Sequence, residues 1–320
     1  GVYTSTDGPV SLLAESMTRD KLGAFVQVLL AAIGIAVALM SLGDERRDHV
    51  GEYYALISVS LAGMIFFVTS ANMMTLFLGL EWFSIPLYIL CAMDTHRRSS
   101  LEAGLKYLIV GSFASGVLLF GCALAYGSSG ELGFVAIRNA PAADDALFIA
   151  SMAFVLAGLA FKVSAAPFHM WTPDVYEGAP TSVTAFMSAA TKLSAIVITY
   201  RVLVVAFPEQ AEIWSVAVAV LACASLAIGN IAALAQRNVK RMLAYSSISH
   251  AGFILVGVQA ASDKGTSGAL FYLMAYAVLV IGSFGVVTLV GRNGDAMHSL
   301  DDYRGLGKSR PVLAFALTVF

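Results

Sequence analysis

Long apolar stretches separated by short polar segments run through the whole chain. A helix that spans a membrane needs about 20 mainly apolar residues, and nine stretches come close to that length. They cover residues 22–42, 54–69, 73–93, 105–126, 147–173, 181–205, 213–234, 242–258 and 269–290. A tenth stretch, 311–320, is too short to span. The pattern predicts an all-α, polytopic transmembrane helical bundle that is incomplete at its end.

The same pattern divides the chain into two parts. We expect residues 1–21 to form a non-membrane N-terminal segment and residues 22–320 to form one partial transmembrane domain. The chain opens at Gly1 without an initiator Met, and its tenth apolar stretch stops at Phe320. We therefore expect it to be a portion of a longer protein.

The composition indicates that a lipid bilayer surrounds most of this chain. Hydrophobic residues make up 58% and charged residues 12% of it, against roughly 25% charged residues in soluble domains. The 19 basic and 21 acidic residues are too evenly balanced for a nucleic-acid-binding surface, so no nucleic acid is expected as a partner. Cys91, Cys122 and Cys223 lie in apolar stretches without metal-binding or disulfide spacing, and we expect small buried hydrophobic side chains.

The distribution of Lys and Arg predicts an orientation. We call side one the side on which the first span begins and side two the side on which it ends. Side two receives Arg46, Arg47, Arg97, Arg98, Arg237, Lys240, Arg241, Arg292, Arg304, Lys308 and Arg310, whereas side one receives Arg19, Lys21, Arg138, Arg201 and Lys264. Because basic residues concentrate in cytoplasmic loops, side two is predicted to be the cytoplasm.

Five ionisable residues lie within the predicted spans: Glu81, Glu102, Lys106, Lys162 and Lys192. A charge at the centre of a spanning helix costs about 2.5–3.5 kcal/mol, so such a residue points to an ion or proton pathway. Glu81 lies roughly 12 Å and Lys192 roughly 16 Å into their helices, which places both near the midplane. We expect these groups to transfer protons.

Lys162 is followed five positions later by Pro167. Proline removes a backbone donor and clashes with the preceding turn, so a broken helix is expected near Lys162 and Pro167. Unpaired backbone groups at membrane depth are tolerated mainly where they line a hydrated cavity. Lys162 is therefore predicted to lie beside such a cavity.

Alternatives stay open for several of these residues. Glu102 and Lys106 are spaced as an ion pair on one helix face. Glu81 could be a protonated acid bonded to a neighbouring carbonyl, and the deep lysines could serve packing alone.

The histidines fall into two groups. His49, His96 and His298 lie in polar segments and are expected to be solvated. His169 follows Lys162 by two helical turns, and His250 ends a serine-rich run, so either is a candidate proton relay. A haem held between two histidines finds no support in the neighbouring residues.

Several motifs together resemble one family. They are FKVSAAPFHMWTPDVYEGAPT at 161–181, GLE at 79–81 with PL at 86–87, SLEA at 100–103 with KY at 106–107, NVKRMLAYSSISH at 238–250, and YRGL at 303–306. In this order they are similar to the subunit N family of bacterial NADH-quinone oxidoreductase, the respiratory complex I, whose mitochondrial counterpart is NADH dehydrogenase subunit two. The likeness extends over about 22–320.

The resemblance implies an antiporter-like fold of 14 helices in which two five-helix halves form an inverted repeat, each half with a broken helix. It places Glu81 on the family's fifth helix, Lys162 on the broken seventh, Lys192 on the eighth, and Lys240 and His250 on the tenth. The second broken helix would begin at Pro311. A complete proton route would therefore need residues beyond Phe320.

The resemblance also implies a function. The chain would be a proton-translocating subunit that couples quinone reduction elsewhere in the complex to proton transfer. It would carry no cofactor, while NADH, FMN, iron-sulfur clusters and quinone would bind to other subunits. Its expected partners are the other membrane subunits of complex I, and its expected location is the inner (plasma) membrane of a bacterium.

Two alternatives remain. A cation/proton antiporter subunit of the Mrp type resembles this family and would use the same Glu and Lys positions. A purely structural membrane scaffold is the second alternative, and the deep ionisable groups argue against it.

Overall fold

The computed structural model describes residues 10–13, 15–42, 49–140, 145–291, 295–296 and 298–320. A short antiparallel hairpin of β1 (Val10–Leu12) and β2 (Met17–Arg19) precedes the helices. The first helices are α1 (Lys21–Ser41), α2 (Val50–Val68), α3 (Met73–Cys91), α4 (Arg98–Ser129), α5 (Phe134–Asn139), α6 (Asp145–Val163) and α7 (Trp171–Gly178). The others are α8 (Thr181–Phe186), α9 (Lys192–Val205), α10 (Ala211–Leu234), α11 (Val239–Gln259), α12 (Asp263–Gly291), α13 (Leu306–Ser309) and α14 (Pro311–Val319).

Within the described residues, nine helical segments are long and apolar enough to cross a membrane, which confirms the predicted polytopic bundle. Their ends differ from the prediction. α4 begins at Arg98, seven residues before the apolar stretch at 105. A hydropathy pattern misses such a polar first turn, because its side chains lie at the membrane surface although its backbone is helical.

The most buried span lies at the centre of the bundle. It consists of α8, a π-helical turn (Met187–Thr191) and α9, which continue one another from Thr181 to Val205. The helices α1, α2, α6 and α12 pack around it. A π-turn inside an α-helix is rare and often lies at a functional position, and this one ends directly before Lys192.

The stretch predicted as one span over 147–173 is divided. α6 ends at Val163, and the chain turns at Ser164, whose φ of 64° lies in the left-handed region. The backbone N–H of Ala166 donates to the Ser225 hydroxyl at 2.8 Å, and the chain becomes helical again at Trp171. The break expected near Lys162 and Pro167 is confirmed, and it divides the predicted span into α6 and α7.

An ion pair joins the beginning of α1 to the end of α9. The Asp20 carboxylate accepts the N–H of Gly23 at 2.7 Å as an N-cap, and it also binds Arg201 at 2.7 and 3.0 Å. The sequence analysis counted Arg201 only as a helix-end cation of side one. The division between a non-membrane segment 1–21 and a membrane domain 22–320 stays a prediction.

The cysteines differ from one another. Cys91 and Cys122 are buried as expected, but Cys223 is exposed, so the prediction for it was wrong. It lies on α10, which packs mainly against α11 and leaves its other face uncovered in this chain. An apolar stretch alone does not tell a lipid-facing position from a core position.

Glycines allow α4 and α6 to approach closely. A Cβ built on Gly121 of α4 would lie 2.7 Å from the backbone nitrogen of Val155 on α6. Conversely, a Cβ on Gly158 would lie 2.6 Å from the Cβ of Leu118. Small residues of this kind are typical of membrane helix contacts, and here they bring α4 against the helix that carries Lys162.

Gly121→Ala should therefore destabilise the chain by about 1–3 kcal/mol, the usual cost of overpacking a filled interface. The matched control is Gly116→Ala on the same helix, where a Cβ meets no atom within 4 Å. Thermal unfolding of the purified protein in mild detergent measures both. Equal midpoints for the two variants would contradict the close approach.

Candidate functional site

Lys162 occupies the last turn of α6, directly before the break, and is only 2% exposed. Its Nζ donates to the Ser84 hydroxyl on α3 at 2.8 Å, and Ser84 in turn donates to the Leu80 carbonyl. The rings of Phe83, Tyr88 and Tyr107 have their centroids 5.2–5.6 Å from Nζ. A hydroxyl and three aromatic faces therefore surround the amine.

Glu81 lies one helical turn before Ser84 on α3 and is half-buried. Its Oε1 is buried and has no hydrogen-bond partner among the described residues. Within the same part of the chain, no carboxylate lies within 4.0 Å of Lys162 Nζ, but Glu81 is near enough for a Coulombic interaction with it. The two groups therefore share an environment without forming a contact ion pair.

Lys192 begins α9 and is 1% exposed. Its Nζ donates to the backbone carbonyl and to the hydroxyl of Ser247 on α11. The Tyr276 hydroxyl on α12 donates to the same Ser247 hydroxyl at 2.8 Å, and its ring centroid lies 5.5 Å from Nζ. This second buried amine is also held by hydroxyls.

His250 lies next to these groups. Its Nδ1 is 2.8 Å from the Tyr272 hydroxyl, and its ring centroid is 5.0 Å from that of Tyr276. We call Lys192, Ser247, His250, Tyr272 and Tyr276 the inner cluster. It joins α9, α11 and α12 by polar contacts inside the bundle.

A further group of charges lies at the side-two end of the helices, and we call Arg97, Lys240, Asp295 and His298 the side-two cluster. Lys240 is fully buried, donates to the Ala179 carbonyl and lies 3.5 Å from Asp295 Oδ2. Arg97 binds the same oxygen at 2.8 Å, and His298 Nε2 lies 3.2 Å from Oδ1. The prediction that His298 is solvated was wrong, because its side chain is only 12% exposed and faces Asp295.

Asp295 holds the side-two cluster together as a carboxylate. Burial raises the pKa of its carboxyl, but the charge of Lys240 and hydrogen bonds from His298 and Thr181 outweigh burial. They hold the pKa far below its usual range. Asp295 therefore stays ionised at neutral pH.

Glu102 and Lys106 form the ion pair that their spacing allowed, with Lys106 Nζ 2.7 Å from Glu102 Oε1. Lys106 also binds Asp174 of α7 at 2.8 Å, and Arg241 of α11 binds Asp174 at 2.6 Å. Although burial raises the pKa of Asp174, the hydrogen bonds from these two cations lower it below its usual value. This network is half-exposed and fastens α7 between α4 and α11.

His169 lies in the break between α6 and α7 and is half-buried. Its Nδ1 is buried and has no hydrogen-bond partner among the described residues. The contacts found in this part of the chain do not join it to Lys162, in contrast to the proximity that its spacing suggested.

No group of three or more His, Cys, Asp or Glu in the described part of the chain is arranged to hold a metal ion. The amine of Lys162 is held by one hydroxyl, and the amine of Lys192 by the hydroxyl and the carbonyl of Ser247.

Sequence reasoning missed the partners of the buried lysines. Ser84, Ser247 and Tyr276 lie in apolar helices, where a single hydroxyl gives no signal because it can bond to its own helix. Asp295 was missed because it lies in a short polar segment between two apolar stretches. One signal was present: a fully buried lysine needs an acceptor, and serine and tyrosine hydroxyls on other helices can supply one.

The sequence of this chain is similar to those of one family of membrane proteins. The family described as NADH:quinone oxidoreductase/Mrp antiporter, TM, matches residues 70–320. NADH-quinone oxidoreductase subunit N of Trichlorobacter lovleyi is 43% identical over 318 residues, which cover 97% of this chain and 65% of the relative. Subunit N 1 of Herpetosiphon aurantiacus is 44% identical over 329 residues, covering 99% and 66%. The chain thus spans slightly less than two thirds of their length.

Solved structures show the same fold. A chain of respiratory complex I from Thermus thermophilus matches with a TM-score of 0.77 and 31% identity, covering 96% of this chain and 65% of that one. A chain of the Mrp complex from Dietzia sp. matches with a TM-score of 0.87 and covers 99% and 61%. At 24% identity, the second likeness concerns the fold alone.

Ser84→Ala should destabilise the chain by about 1–3 kcal/mol, because it leaves the buried Lys162 amine without its hydrogen-bond acceptor. Ser151→Ala is the matched control, since Ser151 is also buried but donates only to Phe148 of its own helix. Thermal unfolding in detergent compares the two. If Ser151→Ala costs as much as Ser84→Ala, the hydroxyl does not support Lys162.

Proposed function

The chain belongs to the NADH:quinone oxidoreductase/Mrp antiporter transmembrane family, and from this premise we propose that it is a proton-translocating membrane subunit of an NADH-quinone oxidoreductase. The identity to subunit N relatives favours this over an Mrp-type antiporter. In the proposed complex, NADH, FMN, iron-sulfur clusters and quinone act in other subunits. The chain itself is a multi-pass protein of the inner membrane.

One observation carries the proposal. Lys162 is buried beside a break in its helix, and its amine binds a hydroxyl instead of a carboxylate. A buried ammonium ion that binds a hydroxyl recovers little of the free energy that it loses on leaving water. The free-energy difference between the protonated and neutral forms of the amine is therefore smaller than in water. A group of this kind can give up and regain a proton during a reaction cycle.

Glu81 provides the charge that shifts this balance. Its carboxylate favours the ammonium form of Lys162 when it is ionised and close, and it loses this effect when it moves away or is neutralised. Because no contact ion pair fixes the distance between the two groups, a small movement of α3 or α6 changes their interaction. We propose that this change loads and expels the proton.

The remaining candidates take different parts in the proposal. Lys192 and His250, joined through Ser247 and Tyr276, receive the proton or charge that leaves Lys162, with water bridging the gaps. In this proposal, Lys240 and His169 act as further proton relays. Glu102 and Lys106, which lie in an exposed network with Asp174, couple the position of α7 to α4.

A double-mutant cycle on Glu81→Gln and Lys162→Met tests the proposal in the assembled complex. Each single change should lower proton pumping about tenfold, and the double variant should pump about as well as the poorer single one. The measurement is the number of protons pumped per NADH oxidised in membrane vesicles. Glu52→Gln, at the exposed beginning of α2, is the control that should pump normally.

Strictly additive losses would mean that Glu81 and Lys162 do not act together. Normal pumping by Lys162→Met in a complex that still reduces quinone would reject the proton-translocating function and favour a scaffold.

The orientation can be tested by cysteine labelling. With Cys223 replaced by Ser, single cysteines at Arg98 and Arg237 should react with a membrane-impermeant reagent only in inverted vesicles, since both residues are exposed on side two. A cysteine at Lys264 on side one should react in intact cells. Arg46 and Arg47 lie outside the described residues. Labelling of Arg98→Cys and Arg237→Cys from outside intact cells would invert the topology.

A further inference from the structure

The helices α7 and α11 pack against each other and carry a series of polar groups from the side-two cluster to the inner cluster. On α11, Lys240 and Ser247 are both buried, and a separation of two helical turns, about 10 Å, puts them on the same face. Tyr176 of α7 is also buried, and its hydroxyl lies beside that of Ser247. Ser247 in turn binds the amine of Lys192.

At the side-two end of this series, Lys240 shares its nearest carboxylate with other groups. Asp295, the nearest acid, binds Arg97 more closely, at 2.8 Å against 3.5 Å for Lys240. The same carboxylate also accepts hydrogen bonds from the backbone N–H and the hydroxyl of Thr181. One negative charge is thus shared by two buried or half-buried cations and His298.

We propose that Lys240 is the side-two entrance for protons that reach Lys192, and that Asp295 is the positioning residue that holds a negative charge beside the Lys240 amine at this entrance. This inference rests on the proposed function. It adds a route and two roles: Lys240 transfers the proton, whereas Asp295 remains a carboxylate throughout.

The transfer balances with water as the carrier. An N–H bond of the Lys240 ammonium breaks while an O–H bond to a water molecule forms, and that water passes another of its protons along the Tyr176 and Ser247 hydroxyls. At the end an N–H bond forms on neutral Lys192. A water molecule that reaches the buried Lys240 from side two then gives a proton to the neutral amine and takes another from the medium, which restores the starting state.

Several charged or titratable groups act on Lys240, and their signs decide the pH dependence. They are Asp295 and Glu177, which favour the ammonium form, Arg97, which opposes it, Cys91 on the inner side, and His298 across Asp295. Asp295 is the closest acid, so its removal should change Lys240 most.

Asp295→Asn in the full complex tests the entrance, measured in inverted vesicles whose medium bathes side two. Without the carboxylate, the Lys240 ammonium loses its nearest negative charge and is less favoured. The alkaline decline of protons pumped per NADH should therefore move about one pH unit or more toward acid, while pumping at acidic pH is retained. Asp295→Glu should restore the wild-type profile. Asp301→Asn, which removes an exposed carboxylate of the same polar segment, should leave the profile unchanged.

A purely structural role predicts a different result, namely equal loss at every pH. Either that result or an unchanged profile in Asp295→Asn would overturn the proposal. Lys240→Gln provides a second variant and should pump poorly at all pH values in an assembled complex. A wild-type profile in Lys240→Gln would likewise overturn it.

Lys192→Met separates this inference from the proposed function. If Lys192→Met abolishes pumping and Asp295→Asn leaves the pH profile unchanged, only the entrance is wrong. If Lys192→Met pumps normally, the entrance fails, and if Lys162→Met also pumps normally, the function proposed for the chain fails with it.

Discussion

The structure depends on how two amines are kept inside an apolar bundle. Lys162 and Lys192 are at most 2% exposed, and both bind serine hydroxyls where a carboxylate would be the stronger partner. A carboxylate in contact would fix each lysine as a permanent cation, because separating a buried ion pair is strongly unfavourable. A hydroxyl can accept a hydrogen bond from the amine in both protonation states, whereas the aromatic faces favour the cation. The packing of the bundle therefore places no carboxylate in contact with either lysine among the described residues.

Two irregular parts of the helices lie directly beside Lys162 and Lys192. α6 ends one residue after Lys162, and the π-turn of the central span ends one residue before Lys192. Regular helices satisfy all their backbone groups internally and need no water, whereas a break or a π-turn leaves groups that attract polar partners. The backbone thus supplies polarity next to each amine without adding another charged side chain. Glycine contacts between α4 and α6 keep the surrounding bundle closely packed at this depth.

The sequence predicted the bundle and the deep ionisable residues, since long apolar stretches and rare intramembrane charges are strong signals. It could not predict which groups meet. Ser84 and Ser247 resemble any hydroxyl that bonds to its own helix, and only their position opposite Lys162 and Lys192 distinguishes them. The beginning of α4 at Arg98 was missed because hydropathy reports burial rather than backbone geometry. Cys223 and His298 were misjudged for a related reason: local polarity does not reveal which face of an element another element covers.

The charged residues of the chain are arranged differently near side two and deep in the bundle. Near side two, Asp174 and Asp295 each bind two or more cations, and both carboxyls have lowered pKa values, so these acids act as fixed links between helices. Deeper in the bundle, Glu81 and Lys162 remain without contact ion pairs among the described residues. Fixed charges at the surface hold α4, α7, α11 and the segment after α12 in place. The fold is therefore held at this surface by fixed ion pairs, whereas Glu81 and Lys162 in the interior form none among the described residues.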